Sequence, residues 1–318
     1  MSARPKVLLT DRIHPDVRAT LEAVCDVVLS PDTSAATINA HIGDADAVIV
    51  RNKLAADVFD HAKKLRCCVR HGVGLDMVPV EAATARRIPV ANLPGSNTTA
   101  VVEYVIASML HLFRPLSVLD HSLRTAGWMA TRPIADGGRE LRGSTLGIVG
   151  VGAIGARVAE IGRAMGMRTI GLTRRPESLP PGIEAADKTA LFQQADVVVL
   201  ACPLNDQTRG LVDAAALALM KPGAVIINVS RGAVVQTAPL LEALNAGRLG
   251  GAALDVHETQ PLPPDSPSYS TPNLLLTPHI AGTSATSLLT MSRGAVDTTL
   301  ALLRGERPAN VVNPEVFA

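Results

Sequence analysis

Residues Gly150-Val-Gly-Ala-Ile-Gly155 constrain the chain more than any other stretch. They follow an apolar run, Thr145–Val149, and open a helical pattern over Ala153–Gly166. A strand that enters a helix through G-x-G-x-x-G predicts a parallel βαβ unit. Gly150 permits the tight turn, Gly152 lets the backbone approach a pyrophosphate, and Gly155 lets helix and strand close on each other. The first helical residues, Ala153 and Ile154, stand where unpaired N–H groups face an anion. Without its flanks the motif is only a tight turn; the strand before it and the helix after it argue for a bound dinucleotide.

The same alternation runs along the chain. Strands are predicted at Lys6–Thr10, Ala47–Val50, Cys67–Val69, Pro89–Ala91, Thr145–Val149, Thr169–Thr173, Asp196–Leu200, Ala224–Val229, Gly251–Val256 and Leu274–Thr277. Helices are predicted at Pro15–Cys25, Ala55–Lys63, Ala153–Gly166, Asp213–Met220 and Ala238–Ala246. Continuous Val/Ile/Leu strands separated by helices predict an α/β protein built on doubly wound parallel sheets. The 318 residues suit about two domains. Two long helical stretches, Ala100–Leu123 and Ser284–Leu303, read as connections between them. The closing segment Arg304–Ala318, with Pro308 and Pro314, reads as extended.

Composition removes whole classes of partner. Lys+Arg is 30 and Asp+Glu 29, a net charge of +1, so no global charge recruits nucleic acid or an anionic membrane. Aromatic residues are only 2 %, against a base-stacking nucleic-acid module. The four cysteines, Cys25, Cys67, Cys68 and Cys202, form no C-x-x-C pair, which argues against a zinc site or a disulfide framework and fits a reducing compartment. The early apolar run Val7-Leu-Leu is too short for a signal peptide, and Ala100–Leu119 carries Glu103, His111, Arg114 and Pro115. A cytoplasmic protein is expected.

The ribose-reading position lies at the end of the strand after the glycine turn. A carboxylate there would bind both ribose hydroxyls and repel a 2′-phosphate. This chain has Thr173, Arg174 and Arg175 instead. Guanidinium groups suit bidentate phosphate recognition, so NADP is the expected cofactor, with NAD as the other possibility.

Several ordered motifs accompany the glycine turn: Cys202-Pro-Leu-Asn-Asp-Gln-Thr-Arg-Gly210, Asn228-Val-Ser-Arg-Gly-Ala-Val-Val235, Ala253-Leu-Asp-Val256, Leu276-Thr-Pro-His-Ile-Ala-Gly282 and Val311-Val-Asn-Pro-Glu315. With these, the chain resembles the D-isomer-specific 2-hydroxyacid dehydrogenases over essentially its whole length. The resemblance implies two doubly wound domains with an interdomain cleft. Residues 1–99 and 285–318 would form a discontinuous substrate domain, and 100–284 the dinucleotide-binding domain. It also implies a homodimer formed through nucleotide-domain helices.

The resemblance assigns roles as well. Arg231 matches the catalytic arginine, whose guanidinium binds carboxylate and carbonyl oxygen together. His279 matches the general acid/base, a job that suits imidazole because its pKa lies near neutrality. In most of the family a glutamate pairs with that histidine. Here Gln260 stands in its place, in Asp255-Val-His-Glu-Thr-Gln-Pro261. A neutral amide orients the ring but stabilises the imidazolium less, so carbonyl reduction should fall away at lower pH than in glutamate members. Glu258 is another candidate partner. The carboxylate of the substrate would go to the backbone amides of Val73 and Gly74, in His71-Gly-Val-Gly74. Arg51 and Asn97 would contact the substrate. Asp255 would hold the nicotinamide carboxamide, and Cys202-Pro203 would cover the adenosine side. Gly282 completes the cofactor set, and no metal is implied.

The expected activity is hydride transfer between NADP(H) and a short 2-oxo or D-2-hydroxy acid, of the glyoxylate or hydroxypyruvate kind. The Gln–His pair is also what formate dehydrogenases carry, and hydride abstraction from formate needs no proton transfer, so NAD(P)-linked oxidation of a small anion such as formate or phosphite is the alternative. A third reading is a regulator that binds cofactor without turnover.

Overall fold

A computed structural model describes residues 4–318. The chain divides into two units. One comprises the residues through Asn97 together with Thr283–Ala318; the other is Thr98–Gly282.

In the first unit β1 (Lys6–Leu9), α1 (Pro15–Glu22), β2 (Asp26–Leu29), α2 (Ala35–Ile42), β3 (Ala47–Val50), β4 (Cys67–Arg70), α3 (Val80–Ala85) and β5 (Val90–Ala91) follow one another. All strand pairs are parallel, in the order β2-β1-β3-β4-β5. Every residue of β3 is buried because apolar layers cover both faces. The second unit contains α4 (Thr98–Phe113), α5 (Leu116–Ala126), α6 (Trp128–Thr131), β6 (Thr145–Val149), α7 (Ala153–Ala164), β7 (Arg168–Leu172), β8 (Glu184–Ala185), α8 (Lys188–Gln194), β9 (Val197–Leu200), α9 (Ala214–Leu219), β10 (Val225–Asn228), α10 (Thr237–Asn245), β11 (Gly251–Leu254) and β12 (Leu274–Leu276). Its parallel sheet has the order β12-β11-β10-β9-β6-β7-β8. From β6 the chain winds outward through β7 and β8, then returns to β9 and winds the other way. The point of reversal, between β6 and β9, is where such sheets bind ligands at their carboxyl edge. The last helix, α11 (Ala285–Leu303), belongs to the first unit. Ser284 caps it in a reciprocal pair with Ser287.

Some expectations are corrected. No α-helix forms over 55–63; only a 3-10 turn, Val58–Asp60, is present. Val58 and Phe59 are adjacent and both buried, so the segment sinks a pair of neighbours rather than a helical stripe. The long helix expected over 100–123 is two helices, bent by 50° at a break that includes Arg114 and Pro115. Proline lacks the N–H and disfavours helical geometry at the residue before it. Among the described residues no single helix is long and apolar enough to cross a membrane. The C-terminal segment is not uniformly extended: Val311 bridges Ala91, and Pro314–Phe317 forms a 3-10 turn. The buried Asn313 side chain fastens it, accepting from Val90 N and donating to Ile88 O. β2, α2, α3, α6, β8 and α8 had no sequence expectation. They are short, and α2 and α8 begin at the side-chain caps Ser34 and Asp187.

Candidate active site

The glycine turn has the geometry that a dinucleotide needs. Gly150 has φ +92°, and a Cβ there would stand 2.7 Å from the Cys202 backbone. A Cβ on Gly155 would lie 2.3 Å from the Gly150 carbonyl oxygen. Protein packing accounts for both. It does not account for Gly152, where a Cβ would meet no protein atom within 4 Å. Gly152 is also the N-cap of α7, with no side-chain cap for the amides of the first turn. The missing side chain keeps an approach open to unpaired amides, so these residues fit a pyrophosphate.

Thr173, Arg174 and Arg175 leave the end of β7. Both arginines are exposed, and neither forms an ion pair among the described residues. Thr173 Oγ1 accepts the Arg175 N–H at 3.5 Å. Cys202 is buried against the glycine turn while Pro203 is exposed. Burial raises the Cys202 pKa, which suits a packing role rather than a nucleophile.

Three loops leave the carboxyl ends of the adjacent strands β10, β11 and β12, which lie about 5 Å apart. The first carries Arg231. Buried Asn228 staples it: its Oδ1 accepts from Ser230 N and Oγ, and its Nδ2 donates to Arg231 O. The Arg231 guanidinium donates to Ser230 O at 2.7 Å. Gly232 lies against the second loop so closely that a Cβ would overlap the His257 carbonyl at 2.0 Å.

The second loop starts at Asp255, which is 2 % exposed. Its Oδ1 accepts from Thr277 Oγ1 and Ile280 N, both at 2.7 Å, and its Oδ2 from Ala281 N at 2.8 Å. The Asp255 backbone oxygen accepts from His279 N at 2.8 Å. Asp255 is therefore a clamp on the third loop, with Oδ2 keeping capacity for one more donor. The clamp holds His279 at φ +58°, a left-handed conformation that costs about 1 kcal/mol or more outside glycine. Gly282 follows the loop as the last residue of this unit.

His279 Nδ1 lies 3.1 Å from Gln260 Oε1. Glu258 is engaged elsewhere: its Oε2 accepts Thr237 N at the start of α10. So Arg231, Asp255, Gln260 and His279 share the sheet edge that carries the glycine turn.

In the first unit, the carbonyls of the loop after β4 all find protein donors. His71 O and Gly74 O accept from the Arg70 guanidinium, Gly72 O from Leu93 N, and Val73 O from Asn92 Nδ2. Among the described residues, the amides of Val73 and Gly74 donate to no protein acceptor. Val73 is exposed and Gly74 half-buried. Arg51 lies after β3; its amide donates to Thr10 Oγ1 and its guanidinium to Arg12 O. Asn97 is half-buried just before α4.

The sequence reading passed over Arg70 and Asn92. Their partners are main-chain oxygens, which no side-chain motif announces.

Buried His71 pairs with Ser292 Oγ on α11 at 2.9 Å. Burial, then the Arg51 and Arg70 charges, depress its pKa to about 4. The unfolded chain binds this proton near pH 6.5, the folded chain only near 4. Stability from this group is therefore full above pH 6.5 and is lost as pH falls to 4. The loss should reach about 3 kcal/mol. Urea titrations at stepped pH should show a shallower decline across that window in His71→Gln; an unchanged slope would contradict the assignment.

Comparisons place this geometry. Residues 106–281, more than half of the chain, match the family model described as D-isomer specific 2-hydroxyacid dehydrogenase, NAD binding domain. The chain is 36 % identical to a glyoxylate reductase of Aeropyrum pernix, covering 98 % of this chain and 97 % of that one. The chain belongs to the D-isomer specific 2-hydroxyacid dehydrogenase family. A solved structure of the TT0316 protein from Thermus thermophilus superposes with TM-score 0.90 at 36 % identity, covering 96 % and 99 % of the two chains. An NADPH-dependent glyoxylate/hydroxypyruvate reductase from Sinorhizobium meliloti, solved with NADP and malonate, gives TM-score 0.87 at 30 % identity and 98 % coverage of both. As a member of this family, the protein is an NAD(P)-dependent 2-hydroxyacid dehydrogenase, and both of its sheets are parallel and doubly wound.

Proposed function

We propose that this dehydrogenase reduces a short 2-oxo acid with NADPH to the D-2-hydroxy acid. The observation that carries the reading is the meeting of the Arg231, Asp255 and His279 loops on the sheet edge of the glycine turn. When bound, the nicotinamide supplies the hydride. Arg231 binds the carboxylate and polarises the oxo group. His279 supplies the proton. In the imidazolium both nitrogens are donors, so Gln260 meets Nδ1 with its amide oxygen. Nε2 is then the nitrogen that gives its proton to the forming alkoxide, and the ring is re-protonated from solvent. In the first unit, the amides of Val73 and Gly74 suit a carboxylate, and Arg51 and Asn97 are the candidate substrate contacts there.

The NADP assignment is supported by exposed Arg174 and Arg175, and by the NADP in the Sinorhizobium meliloti structure. The deciding experiment supplies glyoxylate, hydroxypyruvate and larger 2-oxo acids with NADPH and NADH, alongside formate and phosphite with the oxidised cofactors. NADPH consumption by oxo acids is expected. Turnover of formate or phosphite alone would move the assignment to anion oxidation, and tight NADPH binding without turnover to a regulator.

Exchanging Gln260 for glutamate should raise the His279 pKa, because a carboxylate stabilises imidazolium. Reduction needs the protonated ring, so the limb on which rate is lost with rising pH should move to higher pH. An unmoved limb in the pH–kcat profile of Gln260→Glu would show that the amide is not the partner that matters.

We also assign a homodimer to the α5–α6 segment. No residue of α5 is buried, and Leu116, Val118, Leu123, Trp128 and Met129 stand exposed, Trp128 at 65 % and Met129 at 83 %. The near-zero net charge lets two copies meet without repulsion. Sedimentation should give twice 33.2 kDa, and a strict monomer would contradict it. Four free, buried cysteines accord with a cytoplasmic setting.

A further inference from the structure

Tyr104, on α4, reaches the clamp around His279. Its hydroxyl lies 2.7 Å from Thr277 Oγ1. Thr277 Oγ1 donates its single proton to Asp255 Oδ1, since an ionised carboxylate only accepts. It therefore meets Tyr104 as an acceptor, and the phenol O–H must donate. The bonds run in one direction, from Tyr104 through Thr277 to Asp255, and each polarises the next. Asp255 in turn grips three consecutive amides, those of His279, Ile280 and Ala281.

We propose that Tyr104 is a positioning residue for the general acid: through Thr277 and Asp255, its hydroxyl holds the 279–281 turn in the conformation that presents the His279 ring. This rests on the reading of His279 as proton donor. Without the phenol, the Thr277 hydroxyl loses the contact that orients it, and the left-handed turn at His279 relaxes more often. The ring then spends less time against Gln260. Burial raises the phenol's pKa, and the Asp255 charge adds to this against the lowering effect of the Thr277 and Ser108 hydroxyls, so the group stays protonated and able to donate. The Thr277 carbonyl is held too, by His257 Nε2 at 3.0 Å. Nothing about position 104 in the sequence announces this role; α4 is an apolar helix, and Tyr104 and Thr277 are 173 residues apart.

The test uses the full-length enzyme with hydroxypyruvate and NADPH as probes. Tyr104→Phe keeps the ring and removes only the donor. Thr277→Val breaks the relay, Thr277→Ser preserves it, and His279→Gln removes the acid. Tyr104→Phe and Thr277→Val should each lower kcat by about five- to ten-fold, the size of one hydrogen bond's contribution. KM for hydroxypyruvate and the Kd for NADPH should stay within about two-fold, while Thr277→Ser should behave as the parent. In the cofactor-free protein, amide hydrogen exchange at Ile280 and Ala281 should quicken in the first two variants alone. Parent-like kcat and exchange in both, beside an inactive His279→Gln, would overturn the proposal. A fully active His279→Gln would instead overturn the reading on which it rests.

Discussion

Replacing Arg231 by glutamine is expected to lower kcat/KM for 2-oxo acid reduction by about a thousand-fold, the scale on which a preorganised charge acts on a developing oxyanion. The substitution removes a permanent cation from the loop after β10; the guanidinium's bond to Ser230 O goes with it, while Asn228 still holds the Arg231 carbonyl. Arg231→Lys should recover only part of the loss, since an ammonium group cannot grip carboxylate and carbonyl oxygen as a planar fork does. NADPH affinity, measured by fluorescence titration, should be preserved in both variants. A loss below ten-fold in Arg231→Gln would remove this residue from the chemistry.

The second large effect concerns cofactor choice. Arg174→Asp should lower kcat/KM with NADPH by about a hundred-fold or more, because it removes a phosphate-binding guanidinium and sets a like charge against the 2′-phosphate. With NADH the change should stay within a few-fold, or favour NADH through bonds to the ribose hydroxyls. The preference would reverse. Equal losses with both cofactors would mean that Arg174 supports the fold and does not read the phosphate. Arg175 tests the division of labour, as Arg175→Ala should give a smaller loss in the same direction.

Much of the architecture is legible in the chain because both sheets are covered on two faces. A strand buried on both sides must be continuously apolar, and Ala47–Val50 and Thr145–Val149 are found with the bounds that their runs suggest. Elements fail to be legible where burial is not periodic. Val58 and Phe59 imitate part of a helical stripe, yet they are neighbours that enter the core together. Pro115 stood in view within the expected long helix, and the apolar spacing on either side of it outweighed a backbone rule that wins in the fold.

The candidate site divides in a similar way. Gly150, Gly152 and Gly155 are readable because each glycine has a steric task, and the structure separates the two set by packing from the one left to a ligand. Pairing of Gln260 with His279 came from the family resemblance, not from spacing. Asp255 was assigned to the nicotinamide; its carboxylate is largely occupied by the loop that carries His279. Arg70 and Asn92 take up the carbonyls of His71, Val73 and Gly74, a contribution made through the backbone and silent in the side-chain pattern.

Isotope transfer tests the chemistry most directly. NADPH carrying deuterium at the transferable position of the nicotinamide is mixed with hydroxypyruvate and enzyme, and the product is analysed by mass spectrometry and chiral chromatography. The expected product is D-glycerate with one deuterium at C2 for each NADPH consumed. Unlabelled glycerate, the L-isomer, or NADPH left unspent across the panel of 2-oxo acids would contradict reduction by direct hydride transfer at this site.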